Sequence, residues 1–326
     1  MLRTRKLLTL SVFGLSLAVS IPPVAIAGET IRVGHFPNIT HVQGLVAQHL
    51  SRTGHGWFEA RLGKDVTIDW YIYNAGPSAM EAILADSIDL TYVGPSPTLN
   101  AYTKSNGEEI RIIAGAAAGG AALVVQPDSV LKQPADFRGK TIATPQLGNT
   151  QDVACRAWLA HGGLKITQTG GDAFIVPTPN PDQLSLFQQK KIDAVWTVEP
   201  WVSRLERDAG GKILLEQPKE SITVLVSSVK FLKTKRELAK QFAHAHRELT
   251  EWILAHPTEA KQMVQQELAA ETQAKVSAEL ITQAWTRIGL TTEASPDEYR
   301  QFVANAQRAG FIRTAPDLSR LIERLN

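Results

Sequence analysis

Short apolar runs and longer amphipathic segments follow one another along most of the chain. Runs rich in Ile, Val and aromatic residues predict strands at 31–36, 66–73, 88–93, 110–114, 123–125, 141–143, 174–176, 192–196, 212–215 and 222–226. Segments with apolar residues three or four positions apart predict helices at 40–50, 78–85, 97–104, 150–160 and 182–189, and in the chain beyond residue 234. Strands that alternate with helices are typical of an α/β fold with parallel sheets covered by helices.

An Ala/Gly-rich run at 114–122 interrupts this pattern and divides the chain into two α/β units. The run has neither a P-loop nor a G-x-G-x-x-G fingerprint, so it favours a hinge or close packing over a nucleotide site. We expect one lobe to comprise residues 28–117 and 222–326, and the other to comprise residues 118–221. The chain would then cross between the lobes twice, and two crossovers form a hinge. The pattern alone does not show that the tail returns to the first lobe.

The first 27 residues predict an export signal. Arg3, Arg5 and Lys6 precede an apolar run at 7–19, and the segment ends in an A-x-A processing motif at residues 25–27. Because the run is shorter than the roughly 20 residues that span a bilayer, we favour cleavage after Ala27 over a membrane anchor. The residue directly after this position is Gly28 and not a cysteine, so the expected product is periplasmic and not a lipoprotein.

Composition excludes several functional classes. With 44% hydrophobic and 20% charged residues in a chain of 326, the protein is an ordinary globular one. Three of the 34 basic and none of the 32 acidic residues lie in the export signal, so the remainder carries a net charge of −1, which argues against nucleic-acid binding. The single cysteine, Cys155, allows no internal disulfide, and it shares a helical face with Trp158 and Leu159, as a core residue does. No histidine spacing indicates a metal site.

Four strand-to-helix turns carry signals for the start of a helix, and ligands of open α/β sheets bind beside such turns. Thr40 and Ser78 each begin a predicted capping box, and Ser96 is a predicted N-cap before Pro97. The fourth turn, residues 145–150, precedes the helix that contains Cys155.

The N-terminus of a helix can bind an anion, because several backbone N–H groups remain unpaired there after capping. The helix dipole adds about 0.3–1 kcal/mol for each nearby negative group. Four converging N-termini could therefore hold an oxyanion without any lysine or arginine. For each single turn, capping alone remains the alternative. Asp152, in the first turn of the fourth helix, would repel an anion unless it is turned away or hydrogen-bonded.

Glu199 and Trp201 follow the strand predicted at 192–196, at the edge where ligands bind. One interpretation is that Glu199 meets a cationic or hydroxyl group of the ligand while Trp201 covers its organic part. The other is that Glu199 is a solvated loop charge and that Trp201 packs between domains.

In their order and spacing, these segments resemble the periplasmic substrate-binding proteins of ABC importers for nitrate, taurine and alkanesulfonates. The resemblance runs from about residue 30 to residue 229. It is carried by Phe36-Pro37-Asn38-Ile39-Thr40-His41, Gly76-Pro77-Ser78 with Glu81-Ala82, Val93-Gly94-Pro95-Ser96-Pro97, Gly148-Asn149-Thr150-Gln151-Asp152 and Glu199-Pro200-Trp201.

The resemblance implies a two-lobed, type II-like periplasmic binding protein fold that closes on its ligand and delivers it to an ABC permease in the inner membrane. The implied ligand is a small organic anion, an aliphatic sulfonate or taurine, with nitrate, bicarbonate or another small anion as the alternative. We expect a monomer without cofactor, metal or catalytic residues. The implied contacts are Asn38, Thr40, Gly76, Ser78, Ser96, Asn149, Thr150, Glu199 and Trp201.

An enzyme is the remaining rival, since pyrimidine-synthesising and tetrapyrrole-forming proteins share the bilobal architecture. A cysteine-rich motif in this chain would make it more similar to the pyrimidine-synthesising proteins. A tetrapyrrole-forming protein would need a cysteine that bears the cofactor. The export signal and the core position expected for Cys155 argue against both.

Overall fold

A computed structural model describes residues 28–325, so the predicted export signal lies outside the described residues. The strands are β1 Glu29–His35, β2 Val66–Ile72, β3 Leu90–Val93, β4 Ile110–Gly119, β5 Ala121–Val125, β6 Thr141–Thr144, β7 Phe174–Pro177, β8 Ala194–Val198, β9 Lys212–Gln217, β10 Ser221–Ser228 and β11 Ile288–Leu290. The α-helices are α1 Val42–Arg52, α2 Trp57–Leu62, α3 Gly76–Leu84, α4 Pro95–Lys104, α5 Thr150–His161, α6 Asn180–Gln188, α7 Trp201–Ala209, α8 Val229–Thr234, α9 Arg236–Ala255, α10 Pro257–Thr272, α11 Ala278–Trp285 and α12 Pro296–Arg308. Short 3₁₀ turns lie at Ile39–His41 and Pro134–Phe137.

Two separate sheets form the centres of two lobes, which confirms the predicted two-lobed α/β fold. The first sheet has the strand order β11-β4-β10-β3-β1-β2, and the second has the order β7-β6-β8-β5-β9. Strands β1, β2 and β3 are parallel, as are β6, β7 and β8. However, β10 and β5, the strands that enter each lobe after a crossover, run antiparallel to their neighbours. The sheets are therefore mixed, and the expectation of parallel sheets is only partly correct.

The Ala/Gly-rich run forms the end of β4 and the first crossover between the lobes. Strand β4 continues to Gly119, and β5 begins after Gly120. Both glycines have positive φ angles, 77° and 74°, which disfavour other residues. A Cβ atom on Gly119 would lie 2.5 Å from the carbonyl oxygen of Arg287. The second crossover joins β9 to β10.

The helical tail returns to the first lobe and also reaches the second. Helices α9, α10 and α11 share a hydrophobic core with β1, α1 and α2, where Phe58 and Phe242 stack with ring centroids 4.0 Å apart. Helix α12 packs on both α4 and α5. The sequence pattern did not predict α2, α7, α8 or β11. Of these, α2, α8 and β11 have three to six residues and are too short to show a period, whereas α7 has nine residues and was missed.

Candidate functional site

A small cavity of about 30 Å³ lies between the two sheets, beside the starts of three helices. By the usual criterion of at least about 10–15 Å³ per water molecule, it holds only a small group. Its walls come from both lobes. The lining residues are Phe36, Asn38, Thr40, His41, Asn74, Ala75, Gly76, Gly94, Pro97 and Ile222 on the side of the first sheet, and Pro145, Asn149, Thr150, Gln151 and Val198 on the side of the second.

The structure brings five of the nine predicted contact residues into this lining, namely Asn38, Thr40, Gly76, Asn149 and Thr150. The other four, Ser78, Ser96, Glu199 and Trp201, lie behind it or beside it.

Ser78 and Ser96 both contact the second lobe. The side-chain amide of Gln146 donates to Ser78 Oγ at 2.9 Å. The backbone N–H of Ser96 donates to Thr150 Oγ1 at 3.4 Å, whereas Ser96 Oγ is buried and has no hydrogen-bond partner. The lobes therefore meet through the same turns that were predicted to hold a ligand.

The predicted helix caps at Thr40, Ser78 and Ser96 are wrong. Thr40 lies inside a 3₁₀ turn, and α3 and α4 begin earlier than predicted, after the backbone caps Ala75 and Gly94. Neither α3 nor α4 has a side-chain cap. In the first turn of α3, Pro77 has no N–H, so only Gly76 and Ser78 offer backbone donors to an anion. In the first turn of α4, Pro95 and Pro97 have no N–H and Ser96 N–H donates to Thr150 Oγ1, so this turn offers no free backbone donor.

Helix α5, unlike α3 and α4, has a side-chain N-cap, Asn149. Asn149 Oδ1 accepts the N–H of Asp152 at 2.8 Å, and Asn149 Nδ2 donates to Gln151 at 3.1 Å. The side chain of Asn149 is therefore engaged in capping, although the residue lines the cavity.

Asp152 does not oppose an anion in the cavity. Its carboxylate is fully buried and accepts hydrogen bonds from Thr144 Oγ1 at 2.9 Å, from Gly148 N–H at 2.9 Å and from Arg156 at 2.9 and 3.1 Å. Arg156 is also buried, with 1% of its surface exposed. The charge of Asp152 is thus neutralised inside the second lobe.

Asn38 is oriented by Trp201. The indole Nε1 of Trp201 donates to Asn38 Oδ1 at 3.1 Å. Since an indole N–H can only donate, this bond identifies Oδ1 as the acceptor and leaves Asn38 Nδ2 as a donor beside the cavity. Trp201 lies outside the lining, so it positions Asn38 rather than covering the cavity itself.

The structure contradicts both sequence-based interpretations of Glu199. The residue is fully buried, so it is not a solvated loop charge, and it does not line the cavity. Its carboxylate accepts from Ser203 N–H at 3.1 Å, Ser203 Oγ at 2.9 Å and Arg287 at 2.8 Å. Burial raises the pKa of Glu199, and the hydrogen bonds from Arg287 and Ser203 oppose that rise. With these partners, the carboxylate is not free to meet a ligand cation.

Sequence analysis did not assign a contact to His41, the one titratable side chain in the lining. Its ring lies 4.2 Å from that of Phe36, and its Nδ1 is buried without a hydrogen-bond partner. Burial and the nearby His35 hold the pKa of His41 well below its usual range. The cavity lining therefore carries no charge at neutral pH. The only feature of the sequence that could have indicated His41 as a lining residue was its position next to Thr40, and that position did not show that the ring is buried.

Residues 26–269 match the NMT1-like family. The chain belongs to that family.

Named relatives of this NMT1-like protein are binding proteins. Its sequence is 27% identical over 197 residues to the taurine-binding periplasmic protein of Escherichia coli (strain K12), a match that covers 59% of each chain. The chain thus spans about three fifths of the length of this curated relative.

Two solved structures show the same two-lobed fold. The alkanesulfonate-binding protein SsuA from Xanthomonas axonopodis pv. citri, bound to MOPS, has a TM-score of 0.70 at 19% identity, covering 87% of this chain and 93% of that one. The periplasmic nitrate-binding protein NrtA from Synechocystis PCC 6803 has a TM-score of 0.72 at 15% identity, covering 89% and 84%.

The rest of the NMT1-like chain offers few other reactive groups. Cys155 is buried in the core of the second lobe, and burial raises the pKa of its thiol. Within residues 28–325, no three His, Cys, Asp or Glu side chains are grouped so that they could hold a metal ion. Over the same residues, no helix has both the length and the apolar character needed to cross a membrane.

Proposed function

We propose that this protein is the solute-binding component of an ABC importer and captures a small organic anion, an aliphatic sulfonate or taurine, between its lobes. The observation that carries the proposal is the uncharged cavity lined by the starts of α3, α4 and α5. The taurine-binding relative supports the choice of ligand. Delivery to a permease, export through the segment 1–27 and a monomeric state are parts of the same proposal.

The donors around the cavity suit an anion with several equivalent oxygens. The backbone N–H groups of Gly76 and Ser78 at the start of α3 have no side-chain cap, and Asn38 Nδ2 adds a side-chain donor. Thr40 and Thr150 bring hydroxyl groups to the lining. A sulfonate has three oxygens that can accept these bonds, and Phe36, Val198 and Ile222 are apolar residues of the same lining.

The absence of a counter-charge in the lining favours a singly charged ligand. Removing an ion from water is costly when no opposite charge awaits it, and the cost rises steeply with charge. A sulfonate carries one negative charge, whereas a phosphate or phosphonate at neutral pH tends to carry more. Nitrate and bicarbonate are also singly charged and small enough for the cavity, so they remain the alternative ligands.

The contacts across the cleft explain how ligand binding would close the lobes. Gln146 reaches Ser78, Thr150 reaches the backbone of Ser96, and Trp201 reaches Asn38. All three contacts join one lobe to the other beside the cavity. A ligand that bonds to both walls binds the closed form more tightly than the open form, and this differential affinity drives closure.

The lining does not support an enzymatic role. It contains no cysteine, lysine or carboxylate, and its one histidine is neutral. It therefore lacks the cysteine, lysine and carboxylate side chains that act as nucleophiles or anchor cofactors in many enzymes, and the groups of nucleophilic type that remain are His41 and the hydroxyls of Thr40 and Thr150.

Thermal unfolding with a panel of ligands tests the proposal. The panel is taurine, ethanesulfonate, longer alkanesulfonates, nitrate, bicarbonate and a phosphonate. A ligand at about 100 times its dissociation constant should stabilise the folded protein by about 2.7 kcal/mol, a rise in Tm of several degrees. The largest shift is expected with a sulfonate, and no shift with any member would refute the proposal.

Asn38→Asp provides the matched variant. It keeps the oxygen that accepts from Trp201 and replaces the donor Nδ2 by a negatively charged oxygen beside the anion, so the ligand-induced shift should disappear. The control is Asn106→Asp, the same chemical change at an exposed position beyond the C-terminal end of α4, which should keep the full shift.

A further inference from the structure

Arg287 contacts three carboxylates at the boundary between the lobes. Its guanidinium lies 2.8 Å from Glu199, 2.8 Å from Glu206 and 3.1 Å from Glu216. It also donates to Ser203 Oγ at 3.1 Å. We call Arg287 and these three glutamates the hinge clasp.

The members of the hinge clasp come from different lobes. Arg287 directly precedes β11, an edge strand of the first sheet, whereas Glu216 lies in β9 of the second sheet and Glu199 follows β8 of the same sheet. Glu206 lies in α7, which packs on the second sheet. One guanidinium of the first lobe thus binds three carboxylates of the second.

The hinge clasp lies directly beside the first crossover. Ile288, the neighbour of Arg287, pairs with Gly119, and the backbone N–H of Glu199 donates to the carbonyl of Gly120 at 2.8 Å. A rotation at Gly119 and Gly120 would therefore change the distances between Arg287 and its carboxylates. Hydrogen bonds tolerate only small changes in length and angle, so the clasp fits one orientation of the lobes.

A short path connects the hinge clasp to the cavity. The carbonyl of Glu199 accepts the backbone N–H of Ile39 at 3.2 Å. Two residues further on, the indole of Trp201 donates to Asn38 Oδ1 at 3.1 Å. The segment from Glu199 to Trp201 is thus hydrogen-bonded to Asn38 and Ile39 of the other lobe, which we call the Asn38 turn. Arg287 in turn forms an ion pair with Glu199.

We propose that Arg287 is a positioning residue that stabilises the closed arrangement of the lobes without touching the ligand. In the closed form its guanidinium neutralises the buried Glu199 and keeps the segment from Glu199 to Trp201 against the Asn38 turn. When the lobes separate, Glu199 keeps only Ser203, a partner from its own lobe. The residue should therefore act on the rate at which a bound ligand escapes, since escape requires opening.

The first test compares ligand kinetics in full-length Arg287→Gln, Arg287→Lys and Glu206→Gln with the wild type, with ethanesulfonate as the probe. We expect Arg287→Gln to raise koff by about tenfold while kon changes less than about threefold, because affinity effects of this kind lie mainly in koff. Arg287→Lys keeps the charge but loses the guanidinium fork, so its koff should be intermediate. Glu206→Gln removes one of the three ion pairs and should give the smallest increase.

The control is Arg138→Gln, which removes an exposed ion pair with Asp172 inside the second lobe. Its koff should equal that of the wild type. If Arg287→Gln keeps the wild-type koff, the inference is wrong. If that variant does not fold, unchanged koff values in both Arg287→Lys and Glu206→Gln would overturn it equally.

The second test needs no ligand, so it separates this inference from the proposed function on which the kinetic test rests. Small-angle scattering of the ligand-free proteins should show a larger radius of gyration for Arg287→Gln than for the wild type and Arg138→Gln. Failure of ethanesulfonate to bind would count against the proposed function alone. Equal radii of gyration in Arg287→Gln and the wild type would count against a role of Arg287 in closure.

Discussion

The N-termini of α5 and α7 each lie next to a buried carboxylate of the chain itself. The N-termini of α3 and α4 lie next to the cavity and have no such carboxylate. At α7, Glu199 accepts the N–H of Ser203, and at α5 Asp152 accepts the N–H of Gly148. Each of these buried carboxylates is paired with an arginine, Arg287 or Arg156. Helices α3 and α4 begin without a side-chain cap and without a charged residue in the cavity lining.

If the proposed function is correct, the comparison distinguishes a permanent negative charge, which belongs to the chain, from a temporary one, which belongs to the ligand. An internal carboxylate never leaves, so a buried counter-charge can be built around it and stabilises the fold. A transported anion must leave again, and a buried arginine left behind would remain uncompensated, which is strongly unfavourable. Backbone N–H groups and hydroxyls can return to water or to one another when the ligand departs.

The largest expected effect concerns the internal charges. Asp152→Ala would leave Arg156 buried and unpaired and would remove the acceptor for Gly148 N–H. Breaking one partner of a buried pair costs about 3–5 kcal/mol, so the free energy of unfolding should fall by about that amount. Urea or thermal unfolding measures it.

The control for this effect is Asp128→Ala, which removes an exposed pair with Lys190 and should leave Tm unchanged. If Asp152→Ala lowers the free energy of unfolding no more than the control does, the buried Arg156 needs no counter-charge. The contrast between internal carboxylates and the cavity would then be wrong.

The next effect concerns the contact between the cavity walls. A Cβ atom on Gly94 of the first lobe would lie 2.3 Å from Thr150 Oγ1 of the second lobe. The φ of Gly94 is −72°, which alanine adopts readily, so Gly94→Ala should leave the ligand-free fold stable and hinder closure. We expect the dissociation constant of ethanesulfonate, measured by calorimetry, to rise at least about tenfold.

A double-mutant cycle with Thr150→Ala decides whether closure is the cause. If the clash with Oγ1 is responsible, Gly94→Ala should have a much smaller effect in the Thr150→Ala background. Equal effects in both backgrounds would mean that Gly94 does not limit the approach of the lobes.

Acidification is expected to have a smaller effect on koff of the ligand. This effect distinguishes titration of the hinge clasp from titration of the cavity. Burial raises the pKa of Glu199, so this carboxylate is protonated at a higher pH than the usual value of about 4.3. Its ion pair with Arg287 is present above that pKa and is lost as the pH falls through it.

We therefore expect koff of ethanesulfonate to rise by about two- to threefold in the wild type as the pH falls from neutral through the raised pKa of Glu199, and to rise less in Arg287→Gln. The sulfonate stays ionised, and burial lowers the pKa of His41 and so opposes its protonation, so the cavity itself should respond less than the hinge clasp. An identical pH profile in Arg287→Gln would place the titrating group elsewhere.

The smallest expected effect is on ligand selectivity. If Glu199 met a cationic group of the ligand, as one interpretation of the sequence holds, Glu199→Gln would weaken amine-bearing ligands selectively. Because the carboxylate is bound to Arg287 and Ser203, we now expect taurine and ethanesulfonate to lose the same factor in affinity. A selective loss for taurine in parallel titrations would show that Glu199 contacts the amine after all.

Much of the fold could be predicted because it follows from local patterns. The strand and helix periods gave two α/β units and placed most elements within a few residues of their observed bounds. The antiparallel direction of β5 and β10 could not be seen, since strand direction depends on where a crossover leads. The early starts of α3 and α4 were missed because Ser78 and Ser96 are as typical of an N-cap as of a first turn.

The sequence by itself determined that α/β units alternate, that glycine-rich and proline-rich turns precede several helices, and that no lysine or arginine lies in those turns. These features depend on residues that are neighbours along the chain. Only the tertiary structure decided that Glu199 accepts a hydrogen bond from Arg287, that Trp201 donates one to Asn38, and that His41 lines the cavity as a neutral ring. These roles depend on partners up to 163 positions apart, and burial and pairing at such separations arise only when the lobes meet.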